Sequence, residues 1–276
     1  MSELTSSTSF CINTYCNNRI LLQLQKLSRA GQRLLLLSLS KLSIPVGKSY
    51  FDRSVRITFR DYSSFIQKKT SNQLIHGTVR NAFYNIKSTC DIIDKNKSKY
   101  SELTESVIIV FTEDFIDTLK VSDRVVLPSK LFITTMGNEM PNYSLALAIY
   151  SKSQKTNSKS KNLTIPIREI VELLGGKCTD YRNPPPNWKT IYVKKVKDTL
   201  HKFQKLGLIV SYCYLLDGEE WHEPSDNNKK TDDCSDITDD IYYNSNLTLK
   251  YEKMTRYYRS FIDIVVKIKV PKPRKI

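Results

Sequence analysis

Lys26–Leu42 reads "KLSRAGQRLLLLSLSKL", four consecutive leucines with two more close behind and a basic residue at nearly every margin. A membrane segment, a dimer zipper and the buried helix of a soluble domain all use leucine runs. Leu34–Leu37 is flanked within one turn by Arg33 and Ser38, far short of the ~18 apolar residues a span requires. A zipper needs its heptads sustained over several turns, and this pattern stops at "SIPVGKS" (Ser43–Ser49). The buried helix remains. Ser28 is the expected N-cap, with helix from Arg29 to about Lys41. Leu35, Leu39 and Leu42 repeat at helical spacing, and Leu34 and Leu37 widen the face. A face that wide is covered on several sides, so this helix is the centre of a domain.

The neighbouring segments fit that role. In "SVRITFRDYSSFIQKK" (54–69), Val55, Ile57 and Phe59 alternate with Arg56 and Thr58, the period of a half-buried strand. A short helix then starts at Arg60 or Asp61. "SNQLIHGTVRNAFYNIKS" (71–88) puts Ile75, Val79, Ala82, Phe83 and Ile86 on one face, and His76, Arg80, Asn81 and Lys87 on the other. "ESVIIVFTEDF" (105–115) reads as a strand. Helix, strand, helix, helix, strand is the order of a winged helix-turn-helix domain.

The second half repeats the order. "MPNYSLALAIYSKSQK" (140–155) is a helix, and "TIPIREIVELLGG" (164–176) is another, with Thr164 as its cap and the glycine pair as its stop. "KTIYVKKVKDTLHKFQKLG" (189–207) buries Val193, Val196, Leu200 and Phe203 and ends at Gly207. Lys189, Lys194, Lys195, Lys197, His201, Lys202 and Lys205 fill the rest of its circumference. "LIVSYCYLL" (208–216) and "NSNLTLKYE" (244–252) are expected to pair as a hairpin around an acidic loop, 217–240. The expected organisation is a flexible arm over 1–20, a winged-helix domain over 21–125, a second over 126–260, and a basic tail over 261–276. The division falls within 112–135, and the fold class is α+β with two tandem winged helices.

Charge narrows the partners. With 40% hydrophobic and 26% charged residues the chain has a globular composition, but its net charge is +15. Residues 1–100 carry 16 basic and 5 acidic side chains, and residues 151–200 carry 11 and 4; residues 201–250 reverse the balance, with 5 and 10. Two basic blocks suit two surfaces for a polyanion. The six cysteines form no C-x-x-C pair, and Met1–Phe10 is polar where a signal peptide would be apolar. A cytoplasmic protein with reduced thiols is the expectation, with no membrane partner and no cofactor.

"LSRAGQRLLLLSLSKL" followed by "VRITFRDYSSF" resembles the opening of iteron-plasmid replication initiators of the RepB/RepE class. The positions that carry the resemblance are Leu27, Ser28, Gln32, Arg33, Leu34, Asp61 and Tyr62, within about residues 26–90. The family usually has an acidic residue before the glutamine, where this chain has Gly31. The resemblance implies tandem winged helices that bind repeated double-stranded DNA sites at a replication origin and recruit host replication proteins. It also implies homodimers that repress their own promoter. From the residues alone, Gln32 and Arg33 could equally be the solvated side of a leucine helix.

In a winged domain the third helix enters the major groove. The expected DNA-binding residues are His76, Arg80, Asn81 and Lys87 in the first domain. In the second they are Arg182, Lys189, Lys194, Lys195, Lys197, Lys202 and Lys205. Lysines suit phosphates better than base edges, because they lack arginine's planar fork. His222 and Cys234 in the acidic loop lie in no compact metal frame, so no metal site is expected. No enzyme is expected either. The histidines form no H-x-H pair, His76 and Arg80 are one position too far apart for an H-x-x-R box, and no G-x-x-x-x-G-K-[ST] occurs. A transcriptional regulator and a protein-interaction module remain as alternatives.

Overall fold

The computed structural model describes residues 11–42, 52–66, 72–128, 131–132, 142–155, 162–179, 183–216, 219–221 and 258–271. The chain divides into two compact units, 1–155 and 156–276.

The first unit is built around the leucine helix. It contains β1 (Cys11–Cys16), α1 (Asn18–Lys26), α2 (Arg29–Lys41), β2 (Ser54–Thr58), α3 (Phe59–Ile66), α4 (Asn72–Thr89), β3 (Lys99–Ser101), β4 (Ser106–Val110), α5 (Glu113–Lys120), β5 (Asp123–Pro128) and α6 (Tyr143–Lys155). Ser28 caps α2 as expected, its hydroxyl accepting the Gly31 N–H at 3.2 Å. Leu34, Leu35, Leu36, Leu37 and Leu39 are all buried, because α2 is packed by α4, α3, α6, β1 and β2 together. Burying such a leucine is worth roughly 1.5–3 kcal/mol, so this run dominates the unit's core.

The expected winged order is present: α2, β2, α3, α4, β3, β4, with the sheet in the order β2-β4-β3. Val55 and Ile57 point inward from β2 while Arg56 points out. Ile75, Val79, Ala82, Phe83 and Ile86 are buried along α4 as their spacing predicts.

The N-terminal arm needs correction. Residues 11–16 are a strand paired antiparallel with β5, Ile12 opposite Leu127 and Thr14 opposite Val125. Asn17 then caps α1, accepting the Ile20 N–H at 2.8 Å, and its amide donates to Ser122 Oγ at 2.8 Å. The division between units also moves, from 112–135 to the 155/156 position. The reason is α6, which packs against β5, α1, β1 and α2. Gln154 of α6 pairs with both backbone groups of Val126, donating to the carbonyl at 2.8 Å and accepting from the N–H at 3.1 Å.

The second unit contains β6 (Asn162–Pro166), α7 (Ile167–Leu173), a π-helical turn (Lys189–Lys194) continuing into α8 (Lys195–Lys205), β7 (Ser211–Leu216), β8 (Glu219–Trp221), α9 (Tyr258–Ile262) and β9 (Val265–Lys269). Its sheet runs β6-β9-β7-β8. The three strands β6-β9-β7 match the β2-β4-β3 order of the first unit, each led by a strand that enters a pair of helices.

Two expectations change here. Thr164 lies in β6 and caps nothing; Pro166, with its fixed φ and no N–H to lose, stands at the helix start. Residues 265–269, expected in a basic tail, form the central strand β9, hydrogen-bonded to β6 on one side and β7 on the other. The partner expected for β7, Asn244–Glu252, lies outside the described residues, as do His222 and Cys234. The glycine stop holds: Gly175 has φ +82°, and the Gly175 and Gly176 N–H groups close the last turn on Glu172 and Val171.

Candidate nucleic-acid interface

α4 carries the first candidate surface. Its buried stripe fixes the helix against α2 and the sheet, which leaves Arg80 and Asn81 exposed and His76 and Lys87 half-buried. The chain then returns through the β3–β4 hairpin, whose turn is Glu102–Glu105. This hairpin is the wing that the sequence left unplaced, and its carboxylates face α4. His76 Nε2 lies 3.3 Å from Glu105 Oε1, and Arg80 Nη1 lies 3.6 Å from Glu102 Oε1. The His76 ring stands edge-on to Phe59, their centroids 4.4 Å apart. Lys87 lies over the Phe83 ring at 5.8 Å and reaches the Ser98 carbonyl at 3.5 Å, so it belongs to the base of the wing.

Sequence reasoning found the cations of α4 and missed the wing carboxylates. Their signal is a four-residue turn, Glu102–Glu105, between "KYS" and "SVIIV", two short runs of strand-forming residues. Tyr84 and Leu74 on α4 are also large exposed side chains, and Leu103 at the wing tip is 99% exposed.

The second candidate surface is the long helix 189–205. Tyr192, Val196, Leu200 and Phe203 form its buried face. Val193 is only half-buried: the looser π winding at the helix start turns Tyr192 inward in its place, and the Tyr192 hydroxyl donates to the Lys177 carbonyl at 2.9 Å. Lys189, Lys194, Lys197 and Lys205 are exposed, and Lys202 and His201 are half-buried. Lys189 sits over the Trp188 ring at 5.8 Å. Lys195 is different in kind: its ammonium donates to the Leu174 carbonyl at 2.8 Å, closing the C-terminus of α7. That contact ties the two helices of the motif and commits the Lys195 ammonium to the scaffold. Arg182 lies outside the described residues.

Gln32 and Arg33, which the helix pattern alone left open, are core residues. The Gln32 amide donates to the carbonyls of Leu24 and Leu27, holding the α1–α2 corner, and the Arg33 guanidinium donates to the Tyr143 hydroxyl. They build the scaffold beneath α4 and take no part in a surface.

Among the described residues no group of three or more His, Cys, Asp or Glu side chains is placed to hold a metal ion. No helix among them is long and apolar enough to cross a membrane. Both helices thus offer cationic side chains on rigid, half-buried supports, suited to phosphate contact, with Arg80 and Asn81 as the donors capable of reading base edges.

No protein-family model and no curated protein matches the chain. A solved structure does: the Pi initiator protein in complex with iteron DNA, at 13% sequence identity and a TM-score of 0.56, over 95% of this chain and 98% of that one. The chain therefore shares, over nearly its whole length, the fold of the Pi initiator.

Proposed function

We propose that this protein is a sequence-specific double-stranded DNA-binding replication initiator, acting on repeated origin sites of a plasmid or similar element. The observation that carries the reading is the likeness to the Pi initiator, whose solved structure holds iteron DNA, across both units of this chain. The cationic faces of α4 and of helix 189–205 support it, since each leads into a wing and the helix before the wing is the one that enters the major groove in winged helices. The mechanism is non-catalytic. Arg80 and Asn81 read base edges, while Lys189, Lys194, Lys197, Lys202 and Lys205 contact phosphates. Recruitment of host replication proteins, formation of a homodimer and repression of the protein's own promoter complete the proposed role.

Fluorescence anisotropy on DNA flanking the gene, against scrambled DNA at several salt concentrations, tests the binding. Preference for repeated flanking sites and a steep loss of affinity with salt are expected. Equal weak binding to both would sink the reading. Replication of a plasmid carrying the flanking region, in cells supplied with the protein, then separates an initiator from a regulator that only binds.

A further inference from the structure

The turn of the first unit's wing, Glu102–Glu105, carries two carboxylates and no cation. Glu102 and Glu105 stand on either side of the exposed Leu103–Thr104 tip, and each carboxylate meets a nitrogen of α4: the Arg80 guanidinium at 3.6 Å and the His76 ring at 3.3 Å. These are two of the four α4 residues that the sequence assigns to DNA.

The pairing is fixed from several directions. Glu105 has φ +42°, a left-handed conformation uncommon outside glycine, asparagine and aspartate. Its carbonyl accepts the Phe59 N–H at 2.8 Å and its own N–H donates to the Glu102 carbonyl at 3.1 Å. The Phe59 ring in turn packs against His76. Backbone, ring and carboxylate therefore converge on one arrangement of the wing over the helix. The pairs themselves are solvent-exposed, with Glu102, Glu105 and Arg80 side chains all more than half accessible. Exposed pairs are weak and exchange readily with other anions.

We propose that Glu102 and Glu105 are built-in counter-charges of the recognition helix. Without DNA they occupy His76 and Arg80; on arbitrary DNA a phosphate must displace Glu102 from Arg80, whereas at a specific site a base edge does so. The carboxylates then remain close to the phosphates and repel them, so weak contacts with arbitrary DNA fail while a site with additional base contacts succeeds. The wing thereby acts as a specificity filter, through repulsion against the wrong partner. This rests on the reading of α4 as the DNA-facing helix.

The test is the double variant Glu102→Gln/Glu105→Gln, which keeps the size of both side chains and removes both charges. The probe is a mixed-sequence 25-base-pair duplex, titrated by anisotropy between 50 and 300 mM salt. The control is Glu113→Gln/Asp117→Asn on α5, which changes net charge equally. The wing variant is expected to bind three- to tenfold tighter at the lowest salt. Its plot of log affinity against log salt steepens by about 0.9 as the freed Arg80 turns to a phosphate of the mixed-sequence duplex. The control stays within twofold of the wild type. Unchanged affinity in the wing variant, or equal tightening in the control, overturns the proposal while leaving DNA binding intact. A lower melting temperature without tighter binding would make the pairs a brace for the wing and overturn it equally. If neither wild type nor wing variant binds the duplex, the underlying DNA-binding reading fails as well.

Discussion

The side-chain oxygen of Asn85 on α4 accepts the backbone N–H of Ser28 at 2.8 Å, and a Cβ placed on Gly31 would stand 2.6 Å from that same oxygen. The start of the central helix and the C-terminal part of α4 are thus locked together across a position that has no side chain. This gives a physical reason for glycine where the initiators that the chain resembles usually carry an acidic residue. A side chain here would have to push the Asn85 amide off its contact with Ser28.

Gly31→Ala follows directly. Helix propensity alone favours alanine by up to about 1 kcal/mol. Against that stand the displaced Asn85 contact and the crowding of a buried site, together about 2–3 kcal/mol. Net destabilisation of about 1–2 kcal/mol is expected in urea unfolding, and a gain in stability would refute the close-approach argument.

Arg33 is 3% exposed, and its guanidinium depends on the Tyr143 hydroxyl. Tyr143→Phe takes away that acceptor and leaves a buried cation poorly satisfied, for an expected cost of about 2–3 kcal/mol. Arg33→Met removes the charge together with its need for a partner and is expected to cost less. Chemical denaturation of both variants checks the order.

Burial pushes the Tyr62 phenol up to about 12 from its ordinary value of 10.0, with the Arg33 cation only partly offsetting it. The folded state therefore holds that proton more tightly than the unfolded chain. The stabilisation is present below pH 10 and is lost as pH rises from about 10 to about 12. Burial also raises the Cys90 thiol to about 12 from its ordinary value of 9.0, so its share is lost over a window that opens earlier. For Tyr62 the tighter hold on the proton is worth roughly 2–3 kcal/mol. Urea midpoints measured between about pH 9 and 12 should fall less steeply in Tyr62→Phe than in the wild type.

Lys194 and Lys195 are neighbours, and the Lys195 ammonium meets the Leu174 carbonyl. Lys195→Met loses the contact with the Leu174 carbonyl, and a loss of about 0.5–1 kcal/mol in thermal stability is expected. Lys194→Met should leave stability within about 0.5 kcal/mol, as ordinary surface changes do, and flatten the salt dependence of DNA binding by about 0.9. Differential scanning calorimetry and anisotropy on the same two proteins separate the roles.

Ending the chain after Ser260 removes β9, the strand between β6 and β7. The second unit should then lose its cooperative unfolding transition and become sensitive to limited proteolysis. Ending it after Pro271 should preserve both cooperativity and resistance. Survival of the shorter chain would contradict the central place of β9.

The amino-acid sequence by itself determined the elements whose signal is local. Leucine spacing with the Ser28 cap yields α2, alternation yields β2, and five apolar positions at helical spacing yield α4 with the correct outward residues. The same periodicity yields helix 189–205, except at its π-wound start, where Tyr192 replaces Val193. These signals are legible because one buried face imposes one period on a few consecutive residues.

Only the tertiary structure decided what depends on partners far apart in the chain. β1 is a strand because β5 lies beside it, and β9 is central because β6 and β7 need it between them; neither segment's own residues announce the neighbour. Gln32 and Arg33 turn inward because Leu24, Leu27 and Tyr143 supply acceptors there, which no helical period encodes. The same holds for the candidate site. The sequence places His76 and Arg80 on the open side of α4, but their pairing with Glu105 and Glu102 follows from the return path of the wing. Local order is written in spacing, whereas these contacts arise when separate elements pack and each buried or charged group must find a partner.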